Sequence, residues 1–233
     1  MTRHIRLLGF LLVLFASVAA ARADVIAYSN FGMNNAYAYP SFVGSGIIGG
    51  NMATRTEAAF QFTSAATGPV TSLRLALGTN FASGTAVVSI YGDNMNDPTP
   101  SLLTLTLPAV PIFDPANPGN AALPVTVINV PAGKLGITAG QTYWLSVAPG
   151  APNAVGVPNA LVWFDISTGA VSRFAQRTDP PRPNNDFVVF GNTTQGAFTV
   201  LVANVVNAPE PASLALLGAG IAGLTIVRRR RAH

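Results

Sequence analysis

The sequence predicts an all-β chain: a single antiparallel β-sandwich of about ten short strands over residues 24–207, with a terminal segment on either side. Three observations predict it. Between Asp24 and Asn207 apolar residues alternate with a period of two, the spacing that puts one strand face inward and the other outward. These runs hold four to eight β-branched, aromatic or leucine-rich residues and are broken by Gly, Pro, Asn or Asp, which supply turns. No amphipathic helix stands out in the stretch, and a chain of strands with frequent turns packs as sheet on sheet. A closed barrel is the alternative of the same class.

Taken in order, the first element is a signal peptide over residues 1–23. Arg3 and Arg6 give a positive start, and Leu7 to Ala20 is an apolar run too short to span a bilayer but right for a signal-peptide core. Ala21, Arg22 and Ala23 place small residues at the −3 and −1 positions, so cleavage is expected before Asp24. An uncleaved N-terminal anchor is the other reading of this run.

The clearest strands are Leu73 to Leu77, Leu103 to Leu107 and Tyr143 to Val147, where odd-numbered apolar residues alternate with Arg74 and Ala76, with Thr104 and Thr106, and with Trp144 and Ser146, a pattern that suits one buried and one wetter face. Further strands are expected near Val25 to Ser29, Ala58 to Phe62, Ala86 to Tyr91, Val125 to Val130, Leu161 to Ile166, Phe187 to Phe190 and Phe198 to Val202. Residues Gly32 to Asn51 show little alternation and read as irregular. The Pro/Asn-rich stretches Pro108 to Pro124, Pro149 to Pro158 and Asp179 to Asn185 read as long connections within one domain.

Residues 208–233 change character. Pro209-Glu210-Pro211 is a stiff non-helical break, because proline fixes φ and disfavours helix in the residue before it. Ala212 to Val227 follows without a charge and is long enough for about 24 Å of transmembrane helix, slightly short of a ~30 Å hydrocarbon core. Arg228, Arg229, Arg230 and Arg231 close it. Arginines at one end of a span hold that end in the cytoplasm and reach toward headgroups to cover part of the mismatch. They act as a stop to transfer. Gly218, Gly220 and Gly223 give the helix a small-residue face that another helix could approach closely.

This order of Pro-Glu-Pro, short apolar helix and arginine cluster resembles the PEP-CTERM sorting signal of Gram-negative bacteria. The resemblance implies recognition by an exosortase, a membrane protease-transpeptidase that cuts at or near Pro209-Glu210-Pro211, in a host that makes exopolysaccharide. The middle of the chain resembles the exported choice-of-anchor R domain. That likeness rests on Tyr28-Ser29-Asn30-Phe31-Gly32, Ala58 to Phe62, Leu73 to Gly78, Val88 to Asp93 and Gly140 to Leu145. Asn94 to Pro98 departs from that family's usual turn. The family is defined by a shared domain on different anchors and brings no catalytic residues with it.

Composition excludes more than it suggests. The net charge of +4 comes from the two ends. Between Asp24 and Pro209 six basic residues face eight acidic ones, a net charge of about −2, which is no footprint for nucleic acid. The chain has no cysteine, and its two histidines are His4 and His233. The middle therefore lacks the residue types of Ser-His-Asp and Cys-His catalysis and the usual zinc, copper and haem ligands. No cofactor is expected.

Three candidate sites remain. Asp93, Asn96 and Asp97, with Asn94, form the densest group of oxygen ligands. An EF-hand loop needs glycine at position six and glutamate at twelve; counted from Asp93 these are Pro98 and Thr104, so only a looser calcium site competes with a plain hairpin turn. Trp144 and Trp163, if exposed on one sheet face, could stack on sugar rings, against the alternative of core packing. Asp165, Asp179 and Asp186 could supply the carboxylate pair of a glycoside hydrolase if two converged in a cleft. Lys134, the only lysine, has no S-x-x-K context.

The reading is thus a non-catalytic exported protein of the cell envelope or extracellular matrix, associated with exopolysaccharide or biofilm. Its partners are the secretion machinery, an exosortase, the inner membrane and extracellular polysaccharide, with the precursor's C-terminus in the cytoplasm and the mature form at the cell surface. A carbohydrate-binding module is the second reading, and a carboxylate-based glycoside hydrolase the third.

Overall fold

In the computed structural model, residues 23–32, 36–37, 42–45, 55–79, 84–112, 125–150, 161–165, 169–179 and 186–204 are described. The predicted signal peptide through Arg22, the sorting segment 208–233 and most of the three long connections lie outside them. Residues Ala23–Asn204 form one unit.

The described residues contain strands and no helix. In chain order the strands are β1 (Asp24–Ser29), β2 (Phe42–Ser45), β3 (Arg55–Thr63), β4 (Gly68–Leu75) and β5 (Leu77–Thr79). Next come β6 (Gly84–Asn94), β7 (Asp97–Val110), β8 (Thr126–Asn129), β9 (Gly136–Ile137) and β10 (Thr142–Pro149). The last are β11 (Leu161–Phe164), β12 (Val171–Asp179), β13 (Val188–Thr194) and β14 (Phe198–Ala203).

One sheet runs β1-β14-β4-β8, with β9 paired to β4, and a second runs β13-β12-β3-β10-β6-β7. A small third sheet runs β2-β11-β5. Every strand pair is antiparallel; a single isolated bridge, Thr79 to Ile112, is parallel. Among the described residues both large sheets follow open paths, as a sandwich does and a closed barrel does not.

Period-two alternation builds the core. Leu73, Val200 and Val202 of the first sheet and Phe60, Ile90 and Leu145 of the second belong to one buried cluster, so the two sheets face each other in a sandwich-like arrangement. Within it the Phe62 ring centroid lies 5.3 Å from that of Tyr28, 5.7 Å from Tyr143 and 5.6 Å from Phe198. Each such side chain removed from water is worth about 1.5–3 kcal/mol.

Four expectations need correcting. Leu73 to Leu77 is two strands, because at Ala76 the chain leaves one sheet for another: Ala76 N donates to Ala197 O at 3.1 Å, and Phe164 N donates to Ala76 O at 2.9 Å. All three leucines still reach the core. Phe42–Ser45, within the stretch read as irregular, is a strand paired with β11. Val171–Asp179 is a nine-residue strand whose Arg173, Gln176 and Arg177 obscured its alternation. Finally, the even-numbered residues of β10 were expected on a wetter face, yet Trp144 and Ser146 are both buried.

Candidate functional site

The buried outer face of β10 borders the site. In β3, Ala58, Phe60 and Phe62 are buried, Phe60 and Phe62 in the shared core, so Glu57, Ala59 and Gln61 point to the opposite face of the six-stranded sheet. Register then lays out three rows on this outer face. Arg177 pairs with Glu57. Ala175, Ala59, Ser146, Ser89 and Thr104 follow one another across β12, β3, β10, β6 and β7. Gln61, Trp144, Tyr91 and Ser101 form the third row.

The middle row is made of small side chains, and Ala175, Ala59, Ser146 and Ser89 in it are buried. Ala59 and Ala175 of this row join Tyr91 and Trp144 of the third row in a second apolar cluster with Phe187, just before β13. Beside this cluster lies a polar one. Glu57 Oε1 accepts from Ser146 Oγ at 2.5 Å and from Tyr91 OH at 2.9 Å, while Glu57 Oε2 accepts from Arg177 Nε at 2.6 Å. Arg177 Nη2 also donates to Tyr91 OH at 2.8 Å. The guanidinium carbon stands 4.7 Å from the Phe187 ring centroid and 5.6 Å from that of Tyr91, within cation–π reach. Burial pushes the Tyr91 phenol up to about 12, with the negative charge of Glu57 acting in the same direction and Arg177 opposing it.

Over this floor opens a cleft of about 600 Å³. Ser89 and Thr104 lie 3.1 Å apart through their hydroxyls, and Ser101 joins Thr104 at 3.4 Å, so a hydroxyl ladder runs along the bottom. Val87, Ala148 and Pro149 line it as well. Asp97 and Asp186 line it as carboxylates. Desolvation first, then the charges of Asp186 and Asp93, hold the Asp97 carboxyl above its ordinary range. Neither Asp97 nor Asp186 has an ion-pair partner among the described residues.

The candidates read from sequence are divided by the structure. Trp144 is 0% exposed and donates Nε1–H to Asp93 Oδ1 at 2.7 Å; Trp163 is 1% exposed and donates to Ala197 O at 3.1 Å. Neither indole offers a face to a sugar, so the stacking platform is corrected to core packing. Asp93 also accepts from Gln61 Nε2 at 3.1 Å, and Asn96 Oδ1 from the same group at 3.5 Å. Met95 and Asn96 have φ of 52° and 70°, the pair of left-handed residues that a two-residue type I′ hairpin requires, here joining Asn94 to Asp97. Asp93, Asn96 and Asp97 thus build a hairpin. Among the described residues no group of three or more His, Cys, Asp or Glu is placed to hold a metal.

Of the three aspartates considered for hydrolysis, Asp186 lines the cleft. Asp165 is buried at the end of β11 and bridged to Gly196. The Asp179 side chain lies outside the described residues. The carboxylates that do share the cleft are Glu57, Asp97 and Asp186.

Sequence reasoning missed Glu57, Tyr91, Arg177 and the hydroxyl row. A signal was present: Glu57 is the only glutamate between Asp24 and Asn207, and it stands one residue before an apolar alternation, the position of a charge on the far face of a buried strand. At the termini, Ala21, Pro209 to Pro211 and Arg228 to Arg231 lie outside the described residues, whereas Ala23 O accepts from Asn204 N at 3.3 Å and β1 begins at Asp24.

Residues 207–231 match the family model of the PEP-CTERM protein-sorting motif. No curated protein matches the chain.

Proposed function

We propose that this chain is a non-catalytic exported protein of the bacterial envelope or extracellular matrix, delivered by an exosortase and associated there with exopolysaccharide. The observation that carries the reading is the sorting motif at 207–231, whose three parts each have a physical task. Arg228 to Arg231 oppose passage through hydrocarbon, at a few kcal/mol per charge on insertion scales. The short apolar segment then parks Pro209-Glu210-Pro211 at the outer face, where a membrane protease could reach it.

Two further observations support the reading. The strand β1 starts at Asp24, the residue expected to follow signal cleavage. The described Glu57 carboxylate is held by three donors from Ser146, Tyr91 and Arg177, an arrangement that anchors a charge instead of freeing it for proton transfer.

Cell fractionation in an exosortase-bearing host tests the proposal. Glu210→Ala should leave precursor accumulating in the inner membrane while the wild type matures to a shorter form, and replacing Arg228 to Arg231 with serine should release unprocessed chain. Equal processing of Glu210→Ala and wild type would overturn it.

A further inference from the structure

The outer-face cleft has a chemistry of its own, and the buried tryptophans do not contribute to it. Its volume of about 600 Å³ is that of a small-ligand site. Glu57, Asp97 and Asp186 give it three carboxylates against the single guanidinium of Arg177, and ionised carboxylates only accept hydrogen bonds. Arg177 is occupied by Glu57 and Tyr91. The cleft therefore presents a surplus of acceptors and a negative field, which favour a ligand rich in donors and disfavour an anion. Beside the hydroxyl ladder of Ser89, Thr104 and Ser101, Val87 and Ala148 give the same sheet face an apolar strip, and Pro149 also lines the cleft. A pyranose ring has the matching form, with a C–H surface on its faces and hydroxyls around its rim.

We propose that this cleft binds a short saccharide of zero or positive net charge, with amino sugars preferred and uronates excluded. Asp97 and Asp186 select the charge, and Ser89 and Thr104 bind the hydroxyls. Desolvation first, and then repulsion from Asp186 and Asp93, raise the Asp97 pKa; a ligand ammonium would relieve the repulsive part. The assignment gives the matrix association proposed above a ligand site, but it rests on the cleft and not on the sorting motif. A processed chain that binds no sugar would sink the site alone, and an unprocessed chain that binds would sink the sorting reading alone.

Isothermal titration of the full chain in mild detergent tests it with four probes: chitosan tetramer, cellotetraose, tetragalacturonate and tetralysine. The expected order is chitosan tetramer tightest, cellotetraose weaker and tetragalacturonate without binding. The double variant Asp97→Asn/Asp186→Asn should weaken chitosan binding by about tenfold or more and cellotetraose by less than about threefold. Thr104→Val should weaken both sugars. No binding of either sugar at millimolar concentration, by protein whose circular dichroism shows the sheets intact, would overturn the proposal. So would tetragalacturonate binding as tightly as the chitosan tetramer, or tetralysine binding more tightly than it.

Discussion

Arg177 and Glu57 face each other on paired strands β12 and β3, with Nε donating to Oε2 at 2.6 Å and the two side chains 26% and 12% exposed. The pair fixes the outer face of the six-stranded sheet, because Ser146 from the adjacent strand β10 and Tyr91 from β6 beyond it also bond to Glu57. Removing one partner leaves a half-buried charge with fewer bonds, which is costlier than the pair is worth. Partial exposure tempers the loss. Arg177→Met should therefore lower unfolding stability by about 2 kcal/mol, read from the urea midpoint. A loss below about 0.5 kcal/mol would place the pair with ordinary surface ion pairs.

Gly196 makes a separate prediction about the core. A Cβ built there would come within 2.5 Å of the Trp163 indole, so the backbone lies directly on the ring and no flexible neighbour can yield. Gly196→Ala should cost about 1–3 kcal/mol and alter the near-ultraviolet dichroism of Trp163. Gly191→Ala is the control, since nothing lies within 4 Å of that position. Equal melting temperatures for the two variants would contradict the packing described.

Alkaline pH reports on Tyr91. Its phenol ionises at about 12 in the folded chain, from an ordinary value of 10.0, so the folded state holds the proton more tightly than the unfolded state. The contribution is fully present below pH 10 and is lost as pH rises towards 12. Burial raises the Tyr28 pKa as well, which adds to the same loss. Unfolding free energies measured across this range should fall less steeply for Tyr91→Phe than for wild type. Identical slopes would mean that Tyr91 titrates as an exposed phenol.

How far the sequence speaks for itself follows from where the information lies. Alternation in Leu103 to Leu107 is local, and the odd leucines are more buried than their even neighbours, so the strand and its inner face were legible. The outer face of β10 was not, because Trp144 shares a buried cluster with Phe187 and is bonded to Asp93, residues 43 and 51 positions away in sequence. Glu57 and Arg177 are 120 residues apart, and no spacing rule joins them. Asn30 shows the same limit. Its side chain donates to Gln195 and Gly196 and accepts from Phe198 N at 2.7 Å, which gives the Tyr28-Ser29-Asn30 motif a structural task that pattern alone could not assign. The C-terminal sorting motif, by contrast, is read directly from linear order and needed no fold to be recognised.

Delivery by cleavage is tested most directly by the mass of the mature protein. Intact mass spectrometry of the chain recovered from an exosortase-bearing host should give a species that begins at Asp24 and ends at or near Pro209-Glu210-Pro211, without the apolar segment or Arg228 to Arg231. Recovery of a chain that runs through His233 would make the segment a permanent anchor and contradict sorting by cleavage.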